Sequence, residues 1–448
     1  LYFYSTLYRL RSKKPETRIS QKKKTQRVVS FCVCALFFTL LSPGYAQAGY
    51  LFFLSSMVKK NVENVMFHAV LPKSPPKNIL PISVVHIYAE GLEATFFDQN
   101  IFPDLMPKIS NLSQKGLVVQ GITQVALTGW TAAGQIASQC GYPGVEGKQE
   151  FVQSKDRWPC VGDILSKENY HMVYLNGSSL DFAGKGDFWK SHGYNQAFGD
   201  QFINDLAKTP HAPMSSWGAY DDTLMSASFN VYNDLQNKKP FVLTMLTVDT
   251  HAPTGLKTPS CKNIPKYQMK DSSKTPQTVQ AAHCADFVIG GFLEKILKNL
   301  PEDTIVILQS DHLQTPRADS FLKLETSPKR ANLFMAWGKN IAPQILIREA
   351  TMFDVGPTIL GLMGRSPGGL NLGRDLMAKE KTLVELHGYP WMEERMILAL
   401  SDERMASAAD VEKRRNEWAT AQKEKRKIWM PSGTRDPFLE ERLKKRQK

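Results

Sequence analysis

Four stretches of the chain carry side chains that could act on one substrate: Glu90, Thr131, His251 and the adjacent pair Asp311 and His312. Glu90 follows the run ISVVHIYA (82–89), His251 follows FVLTMLTV (241–248), and Asp311 follows TIVILQ (304–309). Each therefore sits just past an apolar stretch of strand length. The carboxylates of Glu90 and Asp311 and the imidazole of His312 form a mixed oxygen and nitrogen set suited to Mn²⁺, Mg²⁺ or Zn²⁺. Thr131 opens a small-residue segment (132–138) with helical promise, where free backbone N–H groups and the positive dipole end favour an anion. A divalent cation beside that hydroxyl would lower its pKa and supply an alkoxide nucleophile, which threonine alone does not offer near neutral pH. Phosphoryl transfer is the chemistry that gives such a cation charge to stabilise.

Plainer uses exist for each residue. Thr131 could be only a helix N-cap, Glu90 a turn residue, and His251, two residues before Pro253, a loop histidine. The elements that would position them decide between these uses. Apolar strands are expected at 82–89, 116–125, 171–175, 241–248, 304–309 and 331–337. Helical spacing runs through 103–114, 221–235, 277–300 and 350–363, and 182–194 reads as a loop rich in glycine and aromatics. Alternation of apolar strands with helices predicts an α/β fold with a mostly parallel central sheet and helices on both faces. In such a sheet, sites gather beyond the carboxyl ends of the strands.

The net charge of +13 is carried by the ends. Residues 1–30 hold nine Lys/Arg against one Glu, and residues 410–448 hold thirteen Lys/Arg against seven Asp/Glu, so the body is close to neutral. A nucleic-acid function for the folded part is therefore unsupported. The basic arm 1–27 precedes the uncharged run VVSFCVCALFFTLL (28–41), and apolar residues resume at 50–54. Segment 28–57 thus reads as a signal segment, with Ala46-Gln47-Ala48 as a cleavage site, or as an uncleaved membrane anchor. A membrane hairpin broken at Pro43-Gly44 is the further alternative; in each case the arm is expected in the cytoplasm and, for one crossing, the body outside the inner membrane. Residues 58–80 read as a linker, 81–380 as the catalytic domain, and 381–448 as an extension ending in a basic helical tail. The exported body keeps Cys140, Cys160, Cys261 and Cys284, enough for two disulfides. Three pairings are open; Cys140–Cys160 and Cys261–Cys284 close the shortest loops, and buried free thiols are the alternative.

Several motifs resemble those of the phosphoglycerol transferases, the membrane-anchored branch of the alkaline phosphatase and sulfatase superfamily that includes lipoteichoic acid synthase. They are YAEGLEATFFD (88–98), TGWTAAGQIASQCGYP (128–143), TVDTHAPTG (247–255) and SDH (310–312), joined by FAGKGDFWKSHGYN (182–195), WGAYDD (217–222), FDVGPTILGLMG (353–364) and GLNLGRDL (369–376). The resemblance spans about residues 80–378, in family order. It implies that Thr131 is the covalent nucleophile and that Glu90, Thr131, Asp311 and His312 hold one divalent metal, by preference Mn²⁺. It also implies that His251 contacts the head group or acts as acid and base, and, on a weaker alignment, that Lys185 or Trp189 lines the glycerol pocket. The implied reaction moves the glycerophosphate of phosphatidylglycerol, at the membrane, onto a periplasmic glucan or related envelope polysaccharide. The family usually carries several membrane helices before this domain, so one short apolar region implies a fragment or a short form. Competing readings are a phosphoethanolamine transferase acting on lipid A and a non-catalytic, metal-stabilised envelope protein. A sulfatase is disfavoured, because 131–135 lacks the Cys or Ser, the Pro and the Arg that formylglycine formation needs.

Overall fold

The structure, a computed structural model, describes residues 65–401 apart from 77–78, 145–157, 271–273 and 366. The basic arm, the apolar segment 28–57, the first part of the linker and the tail beyond residue 401 lie outside the described residues. Among the described residues no helix is long and apolar enough to cross a membrane.

The strands, in chain order, are β1 (Ser83–Ala89), β2 (Leu117–Thr123), β3 (His171–Asn176), β4 (Gln196–Phe198), β5 (Met214–Ser215), β6 (Gly218–Ala219), β7 (Phe241–Leu246), β8 (Thr304–Ser310), β9 (Phe334–Trp337), β10 (Gln344–Thr351), β11 (Gly369–Leu370) and β12 (Gly373–Arg374). Eight of them form one sheet in the order β10-β2-β9-β8-β1-β7-β3-β4. Every strand runs in one direction except β9, which is antiparallel to β2 and β8. The expected α/β architecture with a mostly parallel sheet is the observed one.

Period-two alternation on β1 shows why the sheet is covered on both faces. Val84 and Tyr88 enter one apolar cluster, and Val85, Ile87 and Ala89 enter the other. Helices α1 (Pro107–Ser113), α6 (Asp221–Leu235) and α7 (Gln277–Leu297) pack on the second face. On the first lie α2 (Thr131–Cys140), α3 (Val161–Ser166), α4 (Lys185–Ser191) and α9 (Val355–Leu362). The remaining helices are α5 (Asp200–Leu206), α8 (Phe321–Leu324), α10 (Leu383–His387) and α11 (Tyr389–Ser401). Each fully buried aliphatic or aromatic side chain contributes about 1.5–3 kcal/mol, so the central strands form a stiff platform for their ends.

Some expectations are corrected. The loop expected at 182–194 contains α4, whose Phe188 and Trp189 are buried; the helix is short and glycine-flanked, so burial rather than local propensity holds it. The helix expected over 350–363 begins only at Val355, because β10 continues through Ala350 and Thr351. The helical spacing of 103–114 gives a helix only from Pro107. The linker is docked from Val65 on: Val65 and Ala69 are buried, and Val70 bridges to Asn371. The Cys140–Cys160 and Cys261–Cys284 disulfides are both formed.

Candidate active site

Strand register brings the acidic residues together. Ala89 of β1 pairs with Ser310 of β8, so the next residues, Glu90 and Asp311, leave the sheet side by side. On the other flank Thr247 N donates to Tyr88 O at 3.0 Å, and Glu90 N donates to Thr247 Oγ1 at 3.0 Å. The loop after β7, which carries His251, is thereby fixed to the same edge.

Thr131 is the first residue of α2, and Trp130, with extended backbone, occupies the N-cap without a side-chain cap. The N-cap use of Thr131 is therefore ruled out, and its hydroxyl is turned to the acidic group instead. Thr131 Oγ1 donates to Glu90 Oε2 at 3.1 Å and lies 3.5 Å from His312 Nε2. Helix α2 holds this position through buried polar anchors. Gln139 Nε2 donates to Tyr88 Oη (2.9 Å), Ser138 Oγ pairs with the same oxygen (2.7 Å), and Gln135 Nε2 donates to Tyr174 Oη (3.2 Å). The helix also approaches β8 so closely that a Cβ on Gly134 would lie 1.9 Å from Asp311 O. Only glycine permits that contact.

Glu90, Asp311 and His312 are all buried, and their ligand atoms lie within 4.8 Å of one another. His312 Nδ1 is tied to Leu313 O at 2.7 Å, which aims Nε2 at Glu90 Oε1 (3.1 Å) and Asp311 Oδ2 (3.4 Å). Asp311 Oδ1 accepts from the N–H groups of Gly91 and His312, both at 2.9 Å, whereas buried Oδ2 has no hydrogen-bond partner. Burial opposes charge at all three groups. It is outweighed at His312, which Asp311 and Glu90 push up to about 10, and at Glu90, which His312 holds down to about 2. Burial and the charge of Glu90 push Asp311 up to about 7. Two carboxylates, an aimed imidazole nitrogen and an orphaned carboxylate oxygen fit a divalent cation, with Thr131 Oγ1 beside it.

A second tier of contacts braces the site. Arg330 Nε donates to Glu93 Oε1 (2.9 Å), Gln314 N to Glu93 Oε2 (2.9 Å), and Gln314 Nε2 to Thr250 O (2.7 Å). Thr250 Oγ1 closes the circuit by donating to Glu90 O. Next along the loop, His251 stands outside the acidic triad, with Nδ1 paired to Ala252 O at 2.6 Å, and its charge reaches Glu90. Lys185 is buried, donates Nζ to Ser178 Oγ at 3.0 Å, and feels Glu90 and Asp311, although burial pulls its ammonium below the ordinary lysine value. Trp189 is placed differently from a pocket wall: it lies in the aromatic core beneath the site, stacked on Tyr174 at 4.5 Å.

Sequence reasoning missed Glu93, Gln314 and Arg330, and also a buried pair, Asp221 and Asp249. Asp221 Oδ1 accepts from Val248 N (2.8 Å) and Oδ2 from Asp249 N (3.2 Å), while Asp249 Oδ2 accepts from Asp221 N (3.1 Å). The signal for Asp249 was its place in TVDTHAPTG, two residues before His251. Arg330 lies in no motif and left no signal.

Residues 83–365 match the sulfatase family. Phosphoglycerol transferase I of Xanthomonas euvesicatoria is 34% identical over 309 residues, covering 66% of this chain and 43% of that protein. Phosphoglycerol transferase I of Escherichia coli is 34% identical over 334 residues, covering 70% and 43%. The chain thus spans less than half the length of these relatives. The lipoteichoic acid synthase LtaP of Listeria monocytogenes superposes with a TM-score of 0.55 at 16% identity, over 70% of this chain and 80% of that one. An alkaline phosphatase superfamily protein of Vibrio parahaemolyticus also gives 0.55, at 22% identity, over 75% and 79%. These two likenesses concern the fold.

Proposed function

The chain belongs to the sulfatase family, and from that premise we propose that it is a metal-dependent phosphoglycerol transferase acting through Thr131. The carrying observation is the Thr131 hydroxyl at the start of α2, 3.1 Å from Glu90 and 3.5 Å from His312. The name shared by the relatives supports phosphoglycerol as the transferred group, and the resemblance of the motifs supports phosphatidylglycerol as donor and a periplasmic glucan or related polysaccharide as acceptor. In this reading the catalytic body lies in the periplasm at the inner membrane.

Glu90, Asp311 and His312 would hold the cation, by preference Mn²⁺, with Thr131 Oγ1 as a further ligand. A cation bound there lowers the pKa of the hydroxyl and offsets the charge that builds on the phosphoryl oxygens. The chain's own groups do the rest. Glu90 Oε2 orients the hydroxyl, and the N–H groups at the start of α2 face the phosphoryl oxygens. In the first half, the Thr131 oxygen–phosphorus bond forms as the bond from phosphorus to the diacylglycerol oxygen breaks. Thr131 releases its proton to solvent, and His251 gives one to the diacylglycerol oxygen. In the second half, an acceptor hydroxyl attacks phosphorus and passes its proton to His251, while Thr131 leaves and is reprotonated from solvent. Lys185, beside the acidic group, would supply positive charge toward the head group.

The test supplies the chain with Mn²⁺, glucan and phosphatidylglycerol labelled in the head group. Label should move to the glucan with release of diacylglycerol, and Thr131→Ala should abolish both. Label reaching lipid A from phosphatidylethanolamine instead, or full activity in Thr131→Ala, would overturn the assignment.

A further inference from the structure

Trp217 is a large aromatic side chain left 40% exposed beside the site. It sits at the tip of the hairpin between β5 and β6, and its ring centroid lies 4.0 Å from that of His251. Its position is fixed from two sides. Ala219 N donates to Gly177 O at 2.8 Å, in the loop that leaves β3 at the same sheet edge. Gly218, at φ +130°, passes so near that a Cβ would lie 2.1 Å from Gly177 O. Just beyond the hairpin, Asp221 accepts from Val248 N and Asp249 N, which clamps the loop bearing His251. A tryptophan held this rigidly while so exposed contributes little to the core; its rigidity serves what it presents. The indole meets the imidazole at a tilt of 42° and keeps a large part of its surface exposed. His251 Nδ1 donates to Ala252 O, which leaves Nε2 to exchange a proton with a ligand.

We propose that Trp217 is the sugar platform of the acceptor subsite: its exposed indole surface takes the C–H face of a pyranose ring and holds one ring hydroxyl at His251. The inference rests on the transferase reading for its choice of a glycan as ligand. The observations favour a sugar over an acyl chain. The ring that the indole meets is the imidazole of His251, a group that can exchange a hydrogen bond or a proton with a sugar hydroxyl and has nothing to offer an acyl chain. A ring stacked here carries its hydroxyl to the group that takes the proton as the sugar oxygen–phosphorus bond forms and the Thr131 oxygen–phosphorus bond breaks.

The test is saturation-transfer NMR of a β-linked glucose oligosaccharide with the full chain carrying Thr131→Ala, alone and combined with Trp217→Ala or Trp217→Phe. Binding should weaken about tenfold with Trp217→Ala and largely return with Trp217→Phe, which keeps an aromatic face. In the otherwise unsubstituted enzyme, Trp217→Ala should raise the acceptor KM about tenfold more than the phosphatidylglycerol KM. Oligosaccharide binding that ignores Trp217, or an equal or larger rise in the lipid KM, would overturn the platform, the latter by assigning the indole to lipid. If the unsubstituted chain binds the sugar through Trp217 but moves no phosphoglycerol, the platform stands and the transferase reading falls.

Discussion

Two buried acidic groups lie at the same edge of the sheet, and they balance their charge differently. At Glu90, Asp311 and His312, the imidazole pairs with Glu90 at 3.1 Å and more distantly with Asp311 Oδ2 at 3.4 Å, and that oxygen has no hydrogen-bond partner. At Asp221 and Asp249, no cation is paired with the acids: three of their four carboxylate oxygens take backbone N–H groups, Asp249 Oδ1 has no hydrogen-bond partner, and burial and then mutual repulsion push Asp249 up to about 9. The first group has the donor set of a candidate cation site. In the second, burial favours the protonated acid, and the backbone hydrogen bonds lock the start of α6 to the loop that carries His251. Neither burial of acids nor an orphaned carboxylate oxygen therefore marks a reactive centre by itself; an aimed imidazole nitrogen and a nearby hydroxyl beside them do.

The sharpest way to break this contrast is to neutralise one acid in each group. Asp311→Asn should lower transfer by at least ~10³-fold and remove the rise in melting temperature that Mn²⁺ gives the unsubstituted protein, since a ligand at about 100 times its Kd contributes about 2.7 kcal/mol. An unaltered Mn²⁺ response in differential scanning fluorimetry would contradict the ligand set. Asp249→Asn should have a smaller effect, on pH dependence. Because the folded state raises the pKa of Asp249, the native protein holds a proton that the unfolded chain has released. Stability accordingly falls as pH rises from about 4 through about 9. One such proton gives a slope of at most about 1.4 kcal/mol per pH unit. The substitution should flatten urea-unfolding stability between pH 7 and 9, and an unchanged slope would move the proton elsewhere.

Legibility in the sequence followed the same physics. Strands buried on both faces, such as β1 and β8, announce themselves as unbroken apolar runs, and their ends put Glu90, Asp311 and His312 at one edge, where the structure has them together. The 3.6-residue period of α6 gave its bounds as observed, Asp221 to Leu235. Strand β10 was lost because it is a sheet edge whose Ile345 and Ile347 point into solvent, so its pattern lacks a buried side. Helix α4 was lost because its order comes from packing Trp189 on Tyr174, a contact no local window contains. The same holds for the brace Glu93–Arg330–Gln314, which joins three separate segments. The reversed direction of β9 had no local signature at all. The acidic site was read from strand ends, while its supports were set by tertiary contact.

The central claim is that Thr131, rather than water, first receives the phosphoryl group. Rapid quenching of the Mn²⁺-loaded chain with phosphatidylglycerol, without glucan, followed by peptide mass spectrometry, tests it directly. The account predicts a glycerophosphate adduct on the peptide bearing Thr131, lost when glucan is added and absent from Thr131→Ala. Turnover of phosphatidylglycerol with an unmodified Thr131 at every quench time would contradict it.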